Sequence, residues 1–378
     1  MSSRTKRPGN RDATCCGRIY FLRNFGLASP HEVKRVLTIR WKRTIPLLML
    51  SVLTLSGCSA VTSTAHHALP KPARDDGMTL VWGIDVKQAA LSLIAHSQHV
   101  CDLDIYELSD PDILNALAAA HARGVNVRVI VDATEKHSQS VAVPSLTAAG
   151  VPVVSLHIHH GISHIKMLIT DYSVLMGGMN FGAASWGNND ASVTMAGPQA
   201  NFQALFAWDW SRAHGQPSAA PAVTMPLVYD ANIGVEMVNA ITAARSKVKL
   251  EAFDLSDHSV LDALTAACAR GVQVQVLLDP GQSYNRKPAT ELRDAGATVR
   301  FYAPYGGEWM HAKILDVDDG RIFLIGSANF SHQAYTYNHE GDLRLQDVGH
   351  FDAALTENLS AQIARGTDYP KAQKQTGW

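Results

Sequence analysis

Two stretches that repeat each other decide the fold. The first runs His164-Ile165-Lys166-Met167-Leu168-Ile169-Thr170-Asp171 and ends on Gly177-Gly178-Met179-Asn180. The second runs His311-Ala312-Lys313-Ile314-Leu315-Asp316-Val317-Asp318 and ends on Gly326-Ser327-Ala328-Asn329. In each, Lys follows His by two positions and Asp follows Lys by five, and the copies lie 147 residues apart at His, Lys and Asp. A single His-x-Lys is a weak signal, because short motifs arise by chance. Two copies with the same trailing Asp, small pair and Asn imply a duplicated unit and one site built from both halves.

The alternation sets His164, Lys166 and Leu168 against Ile165, Met167 and Ile169. A strand has a side-chain period of two, so His and Lys share one face and the apolar set takes the other. The same holds for His311 and Lys313 against Ala312 and Ile314. A Lys on an otherwise apolar strand requires a partner or an anion. Strands at Tyr172 to Met176 and Ile322 to Ile325 lead into the small pairs, where a backbone or ligand can come close.

The duplication extends outward. Tyr106-Glu107-Leu108-Ser109-Asp110 matches Phe253-Asp254-Leu255-Ser256-Asp257, and Ala122-Arg123-Gly124-Val125 matches Ala269-Arg270-Gly271-Val272, again 147 apart. Val86 to His96 reads as a helix and Val100 to Leu108 as a strand. Asp110-Pro111 starts a helix with apolar positions Ile113, Leu114, Leu117 and Ala118, Gly124 ends it, and Val127 to Asp132 is a buried strand. This β-α-β order predicts a parallel sheet in each half. An extra turn at Asp319-Gly320 moves the Asn offset to 149. Asn201 to His214 reads as a helix carrying Trp208 and Trp210, and Gly215 to Ala222 as a linker.

The doubled H-x-K-x4-D pattern with its G-G/S-x-N tail resembles the phospholipase D superfamily, over roughly residues 85–365. The resemblance implies an α/β fold: two pseudo-two-fold α/β sandwich halves with the active site at the seam. It divides the chain into a leader (1–57), a tether (58–78), a first half (79–215), a linker (216–224) and a second half (225–378). It also implies that one His forms a phosphohistidine while the other protonates the leaving group, with His164 taken as nucleophile and His311 as acid. Glu340, in Asn338-His339-Glu340, resembles the family's trailing acidic residue. Asp190, in Asn188-Asn189-Asp190, stands at the equivalent place but departs from the N-x-E form.

The chemistry suits a phosphodiester. Neutral imidazole is a competent nucleophile and imidazolium a competent acid, so two His at one phosphorus need no metal or other cofactor. Lys166, Lys313, Asn180 and Asn329 would clamp the phosphoryl oxygens, with Asp190 and Glu340 orienting the imidazoles. Asp171 and Asp318 belong to the motif but fit better as ties between strands and turns. His157, His159, His160 and His164 form a cluster that a metal could use. No carboxylate or Cys lies nearby at ligand spacing, and a polar loop is the preferred reading. Trp309, Met310, Tyr302 and Tyr305 are candidates for an apolar rim, with Ser185-Trp186-Gly187 opposite. The absence of a Gly-x-Ser-x-Gly elbow argues against a serine hydrolase.

Charge is uneven. Of 33 Lys/Arg and 34 Asp/Glu, residues 1–57 hold eleven and two, which leaves 22 basic and 32 acidic residues in the remainder. An acidic body argues against a nucleic-acid partner. Arg40-Trp41-Lys42-Arg43 followed by apolar Ile45 to Leu55 reads as a leader too short to span a membrane. Leu55-Ser56-Gly57-Cys58 resembles the bacterial lipobox, which implies membrane attachment through a lipidated Cys58. Ser59 points to the periplasmic face of an outer membrane, and residues 1–35 suggest true initiation near Val36. Cys101 and Cys268 fall in different halves and suggest no disulfide. The expected protein is a lipid-anchored, monomeric phospholipase D-type hydrolase of phospholipids. Three alternatives stand beside it: phosphatidyl transfer as in cardiolipin synthesis, a metal-independent endonuclease, and a non-catalytic phospholipid-binding lipoprotein.

Overall fold

A computed structural model describes residues 69–197, 200–216 and 218–369. The leader, Cys58 and the tether as far as residue 68 lie outside them, as does Pro217 of the linker, and the last residues of the expected tether form strand and pair within the first sheet instead. The first half contains β1 (Ala73–Asp75), β2 (Met78–Trp82), α1 (Ile84–His96), β3 (Val100–Ile105), α2 (Pro111–Ala122), β4 (Asn126–Asp132), α3 (Val143–Ala148), β5 (Val153–Leu156), β6 (Lys166–Thr170), β7 (Ser173–Gly177), β8 (Ala191–Ala196) and α4 (Ala200–Ala213). The second contains β9 (Leu227–Tyr229), α5 (Ala231–Thr242), β10 (Lys247–Ala252), α6 (His258–Ala269), β11 (Gln273–Leu278), α7 (Arg286–Asp294), β12 (Thr298–Phe301), β13 (Lys313–Val317), β14 (Ile322–Gly326), α8 (His332–Thr336), β15 (Gly341–Gln346) and α9 (Gly349–Arg365).

The strands form two sheets, ordered β1-β2-β8-β7-β6-β3-β4-β5 and β12-β11-β10-β13-β14-β15-β9. Apart from β1 the orders correspond strand for strand, as the repeat requires. The sheets are mixed rather than parallel. β3 pairs parallel with β4 and β4 with β5, but β6 runs antiparallel to β3, and β7, β8 and β2 continue antiparallel. The β-α-β units set the parallel part. The motif strand then turns back as a hairpin, which needs no crossover helix.

The alternation read from the motif sorts these side chains into different cores. Ile165, Met167 and Ile169 share a central cluster with Ala312, Ile314, Phe323 and Phe351. Leu168 and Leu175 turn the other way, onto α1 and α2, as Leu315 and Leu324 do onto α5 and α6. The sheets therefore pack face to face, with helices outside. Each large apolar side chain buried there contributes roughly 1.5–3 kcal/mol. The seam is close: a Cβ on Gly341 of the second half would stand 2.5 Å from Met176 Cε of the first.

α2 forms where the sequence placed it. Asp110 caps it, accepting from Asp112 N at 2.9 Å and Ile113 N at 3.1 Å, and Pro111 occupies the first turn. β3 ends at Ile105, short of the expected Leu108, because the chain leaves the sheet to meet the Asn180 segment. Phe181 N donates to Glu107 O, and Ser109 N and Asp110 N donate to Phe181 O. The Asp319-Gly320 insertion gives β13–β14 a longer turn than β6–β7. Gly320 adopts φ 84°, and a Cβ there would fall 2.6 Å from Val348 O. Cys101 and Cys268 are free thiols. Among the described residues, no helix is long and apolar enough to cross a membrane.

Candidate active site

Each catalytic-motif segment is held by the opposite half. β6 begins only at Lys166, so His164 precedes the strand on an extended segment rather than lying in it. That segment pairs with the second half: His164 N donates to His339 O at 2.7 Å, and His339 N donates to Ile162 O at 2.9 Å. The mirror arrangement places His311 N on Asn189 O at 2.9 Å, with Asn189 N on Trp309 O at 2.8 Å.

The side chains cross the seam in the same way. His164 Nδ1 lies 2.9 Å from Glu340 Oε2, and His311 Nδ1 lies 2.6 Å from Asp190 Oδ2. Each imidazole thus meets a carboxylate of the other copy. A carboxylate accepts from Nδ1–H, which leaves the lone pair on Nε2. Glu340 is itself fixed by Ser327 Oγ at 2.6 Å on Oε2 and by Asn338 Nδ2 at 2.9 Å on Oε1. Asp190 Oδ1 accepts from Ala191 N at 2.8 Å. Gly178 explains the small pair: a Cβ there would sit 2.3 Å from Asp190 Oδ1.

Lys166 Nζ donates to His164 O at 2.7 Å, and Lys313 Nζ donates to His311 O while lying 3.0 Å from His311 Nδ1. Burial dominates the electrostatics. It pulls Lys166 down to about 7, with Lys313 adding repulsion and Glu340, Asp190 and Glu107 opposing it. It pulls Lys313 down to about 8, against Asp190 and Glu340. His164 is lowered by burial and by both Lys, although Glu340 opposes, and His311 falls to about 4 through burial and Lys313. Burial works against the Glu340 carboxylate, yet His164 and Lys166 hold it below its usual range. Burial therefore favours neutral imidazoles and leaves the ammonium groups poorly compensated, which is the setting for an anion.

Asp171 and Asp318 do not join this group. Asp171 accepts from the backbone amides of Gln98, His99 and Val100 at 2.5–3.0 Å, and Asp318 from those of Arg245, Ser246 and Lys247 at 2.8–3.1 Å. They lie beyond the far ends of β6 and β13, about 16 Å of extended chain from the Lys residues. Their place in the motif is explained by tying the start of β3 and β10 to the hairpin turns. Asn180 is buried, and among the described residues neither its Oδ1 nor that of Asn329 meets a hydrogen-bond donor. Among the described residues, no group of three or more His, Cys, Asp or Glu is placed to hold a metal ion.

The sequence reading gave no role to Tyr106 and Phe253. Their rings flank His164 and His311 at the same centroid distance, 4.9 Å, and lie 5.3 and 5.1 Å from Lys166 Nζ and Lys313 Nζ. The signal was available: both open the five-residue block that repeats at 147. A cavity of about 530 Å³ is lined by Glu107, Ser109, Ser185, Asn188 and Trp309 among others, and Trp309 stacks on Phe253 at 5.7 Å between ring centroids. Of the expected apolar rim, Trp309 and Ser185 line it, whereas Met310 and Tyr302 are buried. Trp186 is also buried, its Nε1 on Asp110 at 2.9 Å.

Comparison with known proteins narrows the reading. The chain matches the family described as "Cardiolipin synthase, PLD-like domain" over residues 90–210 and 237–364. It is 26% identical to cardiolipin synthase A of Pseudomonas fluorescens, over 81% of this chain and 72% of that protein. It is 25% identical to cardiolipin synthase A of Pseudomonas putida (76% and 68%) and 24% identical to the major cardiolipin synthase ClsA of Bacillus subtilis (70% and 64%). Two solved structures share the fold: phosphatidylserine synthase of Haemophilus influenzae (TM-score 0.62, 14% identity, 80% of this chain and 90% of that one) and polyphosphate kinase of Porphyromonas gingivalis (TM-score 0.56, 16% identity, 76% and 47%). The expected phospholipid hydrolase is corrected by these relatives, which are named as synthases. With the doubled motif, the paired sheets and the crossed imidazole–carboxylate pairs in place, the chain belongs to the phospholipase D superfamily, in its cardiolipin synthase, PLD-like domain family.

Proposed function

We propose that this protein is a phosphatidyltransferase of the cardiolipin synthase type, moving the phosphatidyl group of one phospholipid onto a hydroxyl of another. The observation that carries the reading is the crossed site, where two imidazoles, each fixed by the other half's carboxylate, flank two buried Lys. The names of the relatives favour transfer over hydrolysis.

His164 Nε2 attacks phosphorus, a P–N bond forms, and the P–O bond to the departing head-group alcohol breaks. His311 gives that oxygen its proton. The same nitrogen of His311 then takes a proton from the acceptor hydroxyl, which attacks phosphorus and breaks the P–N bond. The anionic diester restores charge to His311, Lys166 and Lys313, and the Lys pair with Asn180 and Asn329 stabilises the phosphoryl oxygens. The cavity of about 530 Å³ is of a size to hold a head group. One chain supplies both halves of the site, so a monomer suffices. Lipidation of Cys58 would hold the enzyme at a bilayer on the periplasmic side of an outer membrane, and labelling with radioactive palmitate, lost in Cys58→Ala, tests that attachment.

The decisive experiment supplies phosphatidylglycerol vesicles to the full-length protein and follows the lipid products. The expected result is diphosphatidylglycerol with release of glycerol. Phosphatidic acid as the sole product, or no product while a nucleic acid is cut, overturns the reading.

A further inference from the structure

We propose that His339 is a positioning residue for the transfer reaction: a buried imidazole clamped between Asp209 and Asp230 that fixes the Glu340–His164 pair across the seam. His339 Nε2 lies 2.9 Å from Asp209 Oδ2 on α4 of the first half, and Nδ1 lies 2.7 Å from Asp230 Oδ1 at the start of α5 in the second. The ring is only 1% exposed. Its backbone carbonyl receives His164 N at 2.7 Å, and the same Asp230 Oδ1 receives Glu340 N at 3.1 Å. The His339 backbone thus holds His164, and Asp230, which the His339 ring engages, holds Glu340, so the imidazole acts on the His164–Glu340 hydrogen bond through its neighbours.

The other half has the same layout without the charge. Asn189 stands where His339 does, one residue before the orienting carboxylate, and its carbonyl receives His311 N. Its side chain meets Glu251 Oε2 at 3.1 Å, and its Oδ1 accepts from Asn358 Nδ2 of α9 at 2.9 Å. Asp209 and Asn358 are thus counterparts on α4 and α9, as Asp104 and Glu251 are on β3 and β10. Burial raises Glu251 to about 8, so that network is neutral.

Backbone conformation supplies an independent observation. Asp230 has φ 53° and ψ −138°, a region that disfavours a side chain, whereas its counterpart Gly83 has φ 50° and ψ −122°. Their amides serve equivalent carbonyls, Gly83 N donating to Asp190 O at 3.0 Å and Asp230 N to Glu340 O at 3.1 Å. The first half uses the residue that adopts this conformation at no steric cost, and the second half carries a carboxylate there in spite of it. Its contacts with His339 and Glu340 are what it gains.

The groups facing His339 are Asp209 and Arg212 from α4, Asp230 from the α5 start, Asp104 from β3, and the edge of Trp208 at 5.6 Å. Burial opposes its charge, but Asp209 and Asp230 raise it well above the ordinary imidazole value. It is therefore protonated at neutral pH. Burial and Asp209 hold the Asp104 carboxyl well above its usual range, so it is neutral.

The inference rests on His164 being a reacting group. The experiment therefore measures turnover of a chromogenic diester, bis(p-nitrophenyl) phosphate, alongside lipid transfer. His339→Asn is expected to lower kcat about 30-fold with KM within about twofold, in keeping with the usual 10–100-fold cost of losing such a partner. His339→Asn with Asp209→Asn and Asp230→Gly, a triple variant that matches Asn189, Asn358 and Gly83 of the other half, is expected to recover most of that loss. Asp230→Gly relieves the backbone, so it is expected to keep or raise Tm while lowering kcat about tenfold. Unchanged kcat in Asp230→Gly, or a His339→Asn loss that the triple variant does not recover, overturns the proposal. If His339→Asn does not fold, Asp230→Gly alone decides. Diester turnover without lipid transfer in the wild type defeats the proposed function but leaves this inference readable.

Discussion

The two halves share a skeleton and differ in charge. Around His164, the orienting acid is the longer Glu340, held by Ser327 and Asn338 and backed by His339 clamped between Asp209 and Asp230. Around His311, the acid is the shorter Asp190, for which Gly178 makes room, backed by the neutral Asn189–Asn358–Glu251 cluster. Gly178 stands where the second half has Ser327, and Asp190 Oδ1 occupies the space that a side chain there would fill. Duplication thus fixed where the polar side chains stand, and later substitution made the two imidazoles inequivalent. In the proposed transfer one imidazole bonds phosphorus while the other exchanges a proton, and unlike surroundings favour a fixed division of those roles.

The largest test asks whether both copies serve one site. His164→Ala and His311→Ala are each expected to lower lipid transfer at least about a thousandfold while circular dichroism and Tm stay near wild type. Near-normal rate in either variant breaks the comparison, because the halves would then act separately. The next test asks which half bonds phosphorus. Single turnover quenched in denaturant at alkaline pH, where a P–N bond to imidazole survives, should trap the phosphorus label of phosphatidylglycerol on His164 in wild type, and more of it in His311→Ala when labelled phosphatidyl-p-nitrophenol, whose leaving group needs no acid, replaces that lipid. Label on His311 would reverse the two roles and keep the site.

Removing one Lys comes below these. Lys166→Met and Lys313→Met are each expected to cost about 10²–10³ in kcat/KM, since each withdraws a preorganised charge from the phosphoryl oxygens. Both should also raise Tm, because each deletes an ammonium whose burial is costly. A gain in stability with unchanged activity would show that the Lys only packs. Below these again, Glu340→Gln is expected to cost about 10–100-fold in kcat. Asp190→Asn should cost a similar amount. Ser327→Ala, which removes a donor to Glu340 and has no equivalent in the first half, should fall well short of either.

Much of this was legible in the sequence, and the reason is the duplication. One His-x-Lys has no context, but a second copy at a fixed distance supplies it. Hence His164, Lys166, His311, Lys313, Asp190 and Glu340 could be picked out and are found together. What could not be read is which half each partner serves. Asp190 follows His164 in the chain, but it faces His311. Crossing is a property of how the sheets face each other, and periodicity within one strand carries no information about it. The β-α-β pattern likewise marked the parallel strands but not the return of β6, because an apolar alternation is the same in either direction. His339 was visible only as the middle letter of Asn338-His339-Glu340. Its partners Asp209 and Asp230 come from α4 and the start of α5, and nothing local joins them to it.

The smallest effect is also the most direct reading of the site's electrostatics. Burial penalises the charge of Lys166 and Lys313 and pulls them down to about 7 and about 8. A bound phosphate anion offsets that penalty and raises both toward their ordinary values. The sign follows: with folded-state values depressed, the empty protein binds fewer protons than the unfolded chain between about pH 7 and 10, and phosphate binding in that window must take protons up. Calorimetry of inorganic phosphate binding at pH 8.5, repeated in buffers of different ionisation enthalpy, should report uptake of about one proton or more. The uptake should shrink toward pH 6, where both Lys already carry their protons, although neutral His311 and His164 then begin to contribute. Lys166→Met should remove part of the uptake and leave the part owed to Lys313. Uptake that is absent at pH 8.5, or unchanged in both Lys variants, would mean that the anion does not sit between the two halves. The two unlike imidazoles would then no longer have a common phosphorus to divide between them.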